Sequence, residues 1–158
     1  MLGWLRSILR PKLPKTAGPP QLVRAVPAGE VPLTGDNVTR EGDAWRIRAG
    51  SPGLVRLYDV ELPRLERCLL TYRLRLKSQD VAKGAYLEMW CRVAGLGEFF
   101  SKGLTQKVRG TTDWSEYEVP FFLKEGQPAD LVKLGLTFEG PGTVWVKEIQ
   151  VFQTPLEA

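Results

Sequence analysis

The sequence predicts an all-β protein of about eight antiparallel strands, either a sandwich or a barrel, and two observations support this. From about residue 38 onward, short runs of alternating apolar and polar residues are separated by Gly, Pro, Asn and Asp. No part of that region repeats its apolar residues at the 3.6-residue period of a helix. The 158 residues suffice for one domain, and 43% hydrophobic with 25% charged residues is an ordinary globular composition.

The alternation within each expected strand shows which of its faces is buried. In residues 72–77 the even positions are apolar and the odd ones cationic, so one face packs in a core and the other meets water. Residues 115–123 and 131–139 alternate in the same way, although Pro120 requires a sheet edge or a bulge. The expected strands span residues 43–49, 54–61, 67–77, 84–94, 104–109, 115–123, 131–139 and 142–153.

The last expected strand changes its phase part-way along. Val144 and Val146 are apolar at even positions, whereas Ile149 and Val151 are apolar at odd positions. A bulge of one residue near 147–148 would keep both pairs on the core face, and we therefore expect one there.

The positive charge of the chain is concentrated at its N-terminus. Residues 1–24 carry five basic residues and no acidic one, and the remaining 17 basic and 18 acidic residues give the rest of the chain a net charge of −1. A nucleic-acid-binding domain would be expected to carry a basic stripe of its own. We therefore expect no nucleic-acid partner.

The N-terminal arm has a pattern of its own. Residues 1–10 place Leu2, Leu5 and Leu9 on one helical face, and Pro11 would end the helix. Such an arm either contacts an anionic membrane or a partner groove, or it is a frayed terminus, because short isolated helices are marginal in water. Five prolines then make residues 11–28 an extended linker. The expected division is an arm and linker, residues 1–28, followed by a domain, residues 29–158.

Two absences bear on the expected location of the protein. The arm lacks the apolar core and cleavage site of a secretory signal, and no apolar run approaches the roughly 20 residues of a membrane span, so a cytoplasmic or peripheral membrane location is expected.

The chain has no histidine, which excludes Ser-His-Asp, Cys-His and His-zinc sites. No phosphate-binding loop is present, and Glu88 has no second acid nearby in its strand. We expect no enzyme activity.

Both cysteines, Cys68 and Cys91, fall on the inward side of their expected strands. Buried cysteines often pack as small hydrophobic residues. A disulfide between them would require neighbouring strands in suitable register, and without a secretion signal free thiols are expected.

Three segments near the end of the chain form a familiar pattern. They are a W-x-x-Y strand within 112–117, a strand that ends in Gly-x-Gly within 134–142, and a last strand that reads V-W-V-K-E-I within 144–149. This pattern resembles the closing strands of galactose-binding-like jelly rolls, which include non-catalytic carbohydrate-binding modules. The resemblance covers roughly residues 38–153. It implies a jelly-roll β-sandwich that takes ligands on a concave sheet face or in loops at one end.

The same resemblance implies a structural calcium ion, which is usually held by an early loop and by an Asp in the last strand. In this chain Lys147 stands where the first Asp of that pattern would be, and only Glu148 is acidic. We therefore predict no metal ligands and no cofactor.

One strand carries the best candidate ligand site. Residues 86, 88, 90 and 92 share the face opposite to an apolar row, and a hairpin closed by residues 78–83 would bring two arginines beside them. An aromatic plate with planar charged groups suits a sugar. The alternative is a cross-strand lattice of cation–π and ion pairs, covered by a loop or the arm. The predicted ligand-binding residues are Tyr86, Glu88, Trp90, Arg92, Arg73 and Arg75.

A second candidate segment spans residues 97–103, where Phe99 and Phe100 are flanked by glycines. We expect a loop that ends over the same face, with one of the two rings in the core because successive residues of an extended chain point in opposite directions.

Together these features predict a non-catalytic carbohydrate-binding-like module, with Tyr86 and Trp90 stacking on a sugar. The alternative is an adaptor jelly roll that docks a protein and is tethered to a membrane or partner by residues 1–10. Location would separate the two, since a sugar module usually meets polysaccharide outside the cytoplasm.

Overall fold

The computed structural model describes residues 14–157, so the predicted N-terminal helix lies outside the described residues. Within that range all regular structure is β, in nine strands. The strands are β1 (Gln21–Ala25), β2 (Val38–Glu41), β3 (Ala44–Ala49), β4 (Gly53–Leu65), β5 (Cys68–Val93), β6 (Gly97–Lys102), β7 (Val108–Leu123), β8 (Ala129–Phe138) and β9 (Gly142–Pro155).

The strands form two layers that share the 26-residue strand β5. In the first layer, residues 68–79 of β5 lie between β7 and β9, and β9 pairs on its other side with β1 and β3, followed by β2. In the second layer, residues 85–93 of β5 lie between β6 and β8, with β4 beyond β8. All of these pairings are antiparallel, and the predicted jelly-roll sandwich is confirmed.

The passage of β5 from one layer to the other corrects the expected hairpin. Residues 78–83 do not reverse the chain, because Ser78 and Val81 stay paired with β7 through register shifts. The backbone instead bends at Asp80, Lys83 and Gly84, which all have positive φ. The expected strands 67–77 and 84–94 are therefore two parts of one strand that lie in different layers.

The core lies between the layers, where the inward residues of both are buried. Tyr72 is fully buried, and its hydroxyl donates a hydrogen bond across the core to the Gly135 carbonyl at 3.2 Å. Burial raises the pKa of Tyr72 above its ordinary value.

The predicted bulge in β9 is confirmed, since the register with β5 shifts there and Glu148 has a φ of 53°, in the left-handed region. This backbone conformation lets Val144, Val146, Ile149 and Val151 all face the core, where each is buried.

The segment before the expected domain boundary is partly built into the sandwich. β1 pairs with β9, and Thr16 forms a bridge with Leu156. Val23 packs against the core, and the Trp45 indole donates a hydrogen bond to the Ala28 carbonyl at 3.2 Å. Residues 21–25 therefore form a strand and not a linker, because this run contains no proline and offers its backbone to β9.

The two cysteines are buried free thiols, as expected. Burial raises the pKa of Cys68 to about 11 and that of Cys91 to about 12. No helix within residues 14–157 is long and apolar enough to span a membrane.

Candidate functional site

The outer face of the second layer carries the predicted aromatic strand. Tyr86, Glu88, Trp90 and Arg92 occupy alternate positions of β5, opposite the buried Leu87. Across from them lie β8 on one side and β6 on the other, because β5 pairs with both strands over this stretch. With β4 on the far side of β8, the face is built from four strands.

A cavity of about 220 Å³ opens on this face. Its floor is at Gly135, which pairs with Glu88 on one side and with Arg56 on the other. A Cβ atom at position 135 would lie 2.9 Å from Leu54 Cδ1 and 3.1 Å from the Val55 carbonyl oxygen, so any larger residue would crowd this floor. The cavity is lined by Leu54, Arg56, Glu88, Trp90, Glu98, Lys133, Leu134 and Gly135.

Glu88 is a buried carboxylate that fixes the indole of Trp90. Its side chain accepts a hydrogen bond from Trp90 Nε1 at 2.8 Å on Oε2 and one from Thr137 Oγ1 at 3.1 Å on Oε1. Lys102 Nζ lies 3.9 Å from Oε1 and supplies a nearby positive charge. Because Glu88 is only 6% exposed, its role is to hold the Trp90 indole in place and not to contact a ligand.

An aromatic wall stands at one side of the cavity. Trp90 and Phe100 are paired across β5 and β6, with ring centroids 5.2 Å apart and an interplanar angle of 52°. The expectation of a loop with one core ring is wrong, because residues 97–102 form a strand and Phe99 and Phe100 are 44% and 55% exposed. β6 is an edge strand of its layer. Phe99 is therefore exposed even though it pairs with the buried Cys91.

The rim of the cavity is charged. Lys133 Nζ pairs with Glu98 Oε1 at 2.6 Å, and Arg56 Nη2 pairs with Asp59 Oδ1 at 2.9 Å. Planar guanidinium and carboxylate groups can hydrogen-bond pairs of hydroxyl groups. The cavity therefore combines an apolar wall with polar groups from three other strands.

The remaining predicted residues lie elsewhere. Tyr86 is buried beneath Lys107, whose Nζ lies 5.9 Å from the ring centroid, so its ring offers no open stacking surface. Arg92 pairs with Asp130 at 2.7 Å, and this hydrogen bond lowers the pKa of the Asp130 carboxyl. Of the predicted set, only Glu88 and Trp90 line the cavity.

Arg73 and Arg75 are on the other layer, which corrects their expected place beside Glu88 and Tyr86. Arg73 Nε pairs with Glu118 Oε2 at 3.0 Å, and its guanidinium lies 4.6 Å from the Phe152 ring centroid. The reason is the passage of β5 between layers, which separates residues 68–79 from residues 85–93.

Several cavity residues were missed by the sequence analysis. Lys133 and Gly135 follow from the alternation of 131–139, which places odd positions outward, but nothing in the sequence shows that β8 lies next to β5. Arg56 comes from β4, whose partner β8 is distant along the chain. Glu98 was missed because a loop was expected at residues 97–103, where β6 instead forms a hairpin with the end of β5. Within residues 14–157 no group of three Cys, Asp or Glu side chains could hold a metal ion.

Solved structures of similar fold were found by comparison. A carbohydrate-binding module of family 4 is 13% identical over 83% of this chain and 77% of that chain, with a TM-score of 0.53. The second carbohydrate-binding module described for family 16 is 11% identical over 77% of this chain and 89% of that chain, with a TM-score of 0.52. No family model matches the sequence, and no curated protein matches it. The chain thus has the jelly-roll fold of carbohydrate-binding modules, which confirms the resemblance seen in its closing strands.

Proposed function

We propose that this protein is a non-catalytic carbohydrate-binding module that holds one sugar ring of a glycan in the cavity beside Trp90. The observation that carries the proposal is the cavity itself, which has an aromatic wall and a charged rim. Two solved carbohydrate-binding modules of similar fold support this class of ligand.

The lining suits a sugar ring. Trp90 and Leu54 offer apolar surface to the C–H face of a pyranose, while Arg56, Lys133 and Glu98 can hydrogen-bond its hydroxyl groups. A volume of about 220 Å³ is below the roughly 300–1,000 Å³ of pockets for drug-sized ligands. The cavity therefore accepts a single ring, and further units of a glycan would lie on the surrounding surface.

The two carboxylates of the cavity are engaged in ways that favour binding over hydrolysis. Both oxygens of Glu88 accept hydrogen bonds from the protein, and Glu98 is paired with Lys133. A glycosidase needs one carboxylic acid and one carboxylate that both face the glycosidic bond. This arrangement supports a binding role for the site.

A glycan-array screen of the full chain tests the proposal, followed by calorimetric titration of any glycan that binds. Trp90→Ala removes the wall and should weaken binding at least about 30-fold, which corresponds to the roughly 2 kcal/mol of a binding hot spot. Phe152→Ala, which removes an aromatic ring from the other layer outside both proposed sites, is the matched control and should leave that affinity unchanged. Absence of binding by the folded wild-type chain, or equal binding by Trp90→Ala, would contradict the proposal.

A second candidate function is a protein-docking adaptor. Leu54 and Phe100 are 45% and 55% exposed beside the cavity, and exposed apolar groups of this kind also occur at protein interfaces.

The predicted tether, residues 1–10, can be tested by co-sedimentation of the full chain with anionic vesicles. Leu5→Asn with Leu9→Asn should abolish sedimentation if the apolar face of the arm contacts the membrane, whereas an unchanged amount would refute the tether.

A further inference from the structure

We propose a second ligand site on the outer face of the first layer, where Lys77 and Lys147 bind the acidic group of an anionic glycan over the ring of Trp114. This site is separate from the cavity beside Trp90. The choice of a glycan as its ligand rests on the proposed function, whereas its preference for an acidic group rests on the contacts described next.

Two ammonium groups lie over a single indole. Lys77 Nζ is 5.4 Å from the Trp114 ring centroid, and Lys147 Nζ is 4.3 Å from it. Lys77 Nζ also lies 4.8 Å from the centroid of Trp145. The face of an aromatic ring attracts cations, but two like charges over one ring repel each other. An anion bound between them would reduce that repulsion.

The protein supplies little negative charge to these two lysines. In the described part of the chain, no carboxylate lies within the 4.0 Å ion-pair distance of Lys77. Lys147 has Asp43 at 3.9 Å, but the Asp43 side chain is 70% exposed, and such exposed pairs contribute little. A ligand carboxylate can therefore form ion pairs with both lysines at the cost of only the weak contact between Lys147 and Asp43.

The second indole of this face is held in place, and a polar cavity lies farther along the same face. Trp145 Nε1 donates a hydrogen bond to Glu41 Oε2 at 2.8 Å, and Arg46 lies 5.9 Å from the Trp145 centroid. A polar cavity of about 380 Å³ adjoins Arg46 on this face. It is lined by Arg46, Arg48, Ala49, Gly50, Gln79, Asp80, Pro141, Gly142 and Thr143.

The charge balance favours an acidic glycan over a nucleic acid. Residues 25–158 have a net charge of −1, and Glu41, Asp43 and Asp80 lie on or beside this face. Nucleic-acid binding usually needs a continuous basic patch, and these acids interrupt the positive charge of the face. A uronic-acid chain carries one carboxylate per sugar and places a sugar face beside each charge.

The test is calorimetric titration of the full chain with oligogalacturonate, with its methyl-esterified form as the uncharged ligand control. Lys77→Gln with Lys147→Gln should weaken binding to the acid form at least 10-fold and remove most of its salt dependence. Lys124→Gln, which changes an exposed lysine outside this face, should bind like wild type. Lys77→Arg keeps the charge and should retain affinity within about 3-fold, which separates loss of charge from misfolding.

Several results would overturn this site. These are no binding of oligogalacturonate by the folded wild-type chain, equal binding of the esterified form, or equal weakening by Lys124→Gln. Loss of binding in Trp90→Ala alone would assign the acidic ligand to the other cavity and also refute the second site. Retained oligogalacturonate binding alongside a glycan array with no neutral ligand would support the second site while the proposed function of the Trp90 cavity fails.

Discussion

Replacement of Glu88 tests how the candidate cavity is held together. Its carboxylate accepts hydrogen bonds from Trp90 Nε1 at 2.8 Å and Thr137 Oγ1 at 3.1 Å, and the residue is 6% exposed. In Glu88→Gln the amide oxygen can still accept from the indole, and the amide nitrogen can donate to the Thr137 hydroxyl. Only the charge assistance is lost, which costs about 1 kcal/mol.

Glu88→Met keeps the length of the side chain but offers no comparable acceptor. The indole N–H and the Thr137 hydroxyl then lose their partner, and a buried donor without an acceptor costs about 1–3 kcal/mol. The free energy of unfolding, measured with guanidinium, should therefore be highest for the wild type, lower for Glu88→Gln and lowest for Glu88→Met. For a chain of this size each 1 kcal/mol corresponds to a melting temperature lower by about 2–4 °C.

The same variants have a local readout. The Trp90 indole N–H resonance should shift in both, and it should exchange faster with solvent in Glu88→Met. Glu98→Gln is the matched control, because it removes a partly exposed ion pair worth at most about 1 kcal/mol and leaves the indole bond intact. A Met variant as stable as wild type, with an unmoved Trp90 resonance, would refute the assigned role of Glu88.

Three further predictions follow from the described contacts. Gly135→Val should fill the cavity floor, abolish glycan binding and cost about 1–3 kcal/mol of stability by crowding Leu54, as measured by titration and unfolding. Tyr72→Phe should lower the free energy of unfolding by about 1 kcal/mol, since it removes one buried hydrogen bond, and an unchanged value would contradict this. Burial raises the pKa of Cys91 from 9.0 to about 12, so the contribution of this thiol to the free energy of unfolding is complete below pH 9 and is lost as the pH rises towards 12. Cys91→Ala should therefore make the free energy of unfolding fall less steeply with pH over this range, and an equally steep fall would contradict the prediction.

Much of the fold could be predicted from the sequence because alternation reports burial directly. The bulge at residues 147–148 was evident from the change of phase between Val146 and Ile149, and the structure contains it. The outward face of residues 86–92 was evident in the same way. A period of two residues shows which side of a strand is buried, whatever its neighbours are.

Strand neighbours could not be predicted in this way. The same alternation in residues 72–77 and 86–92 suits a hairpin as well as one strand shared by two layers. The deciding features are the positive φ values at Asp80, Lys83 and Gly84, and the sequence does not signal those at Asp80 and Lys83 because neither residue is a glycine. The expected hairpin placed Arg73 and Arg75 in a site that they do not join.

The most direct test of the proposed function is to follow the five tryptophan indole resonances during titration with a neutral glycan found on the array. Binding in the cavity predicts that the Trp90 resonance shifts in proportion to occupancy, while those of Trp114 and Trp145 stay in place. A glycan that binds and leaves the Trp90 resonance unmoved would contradict the assignment of the site to this cavity.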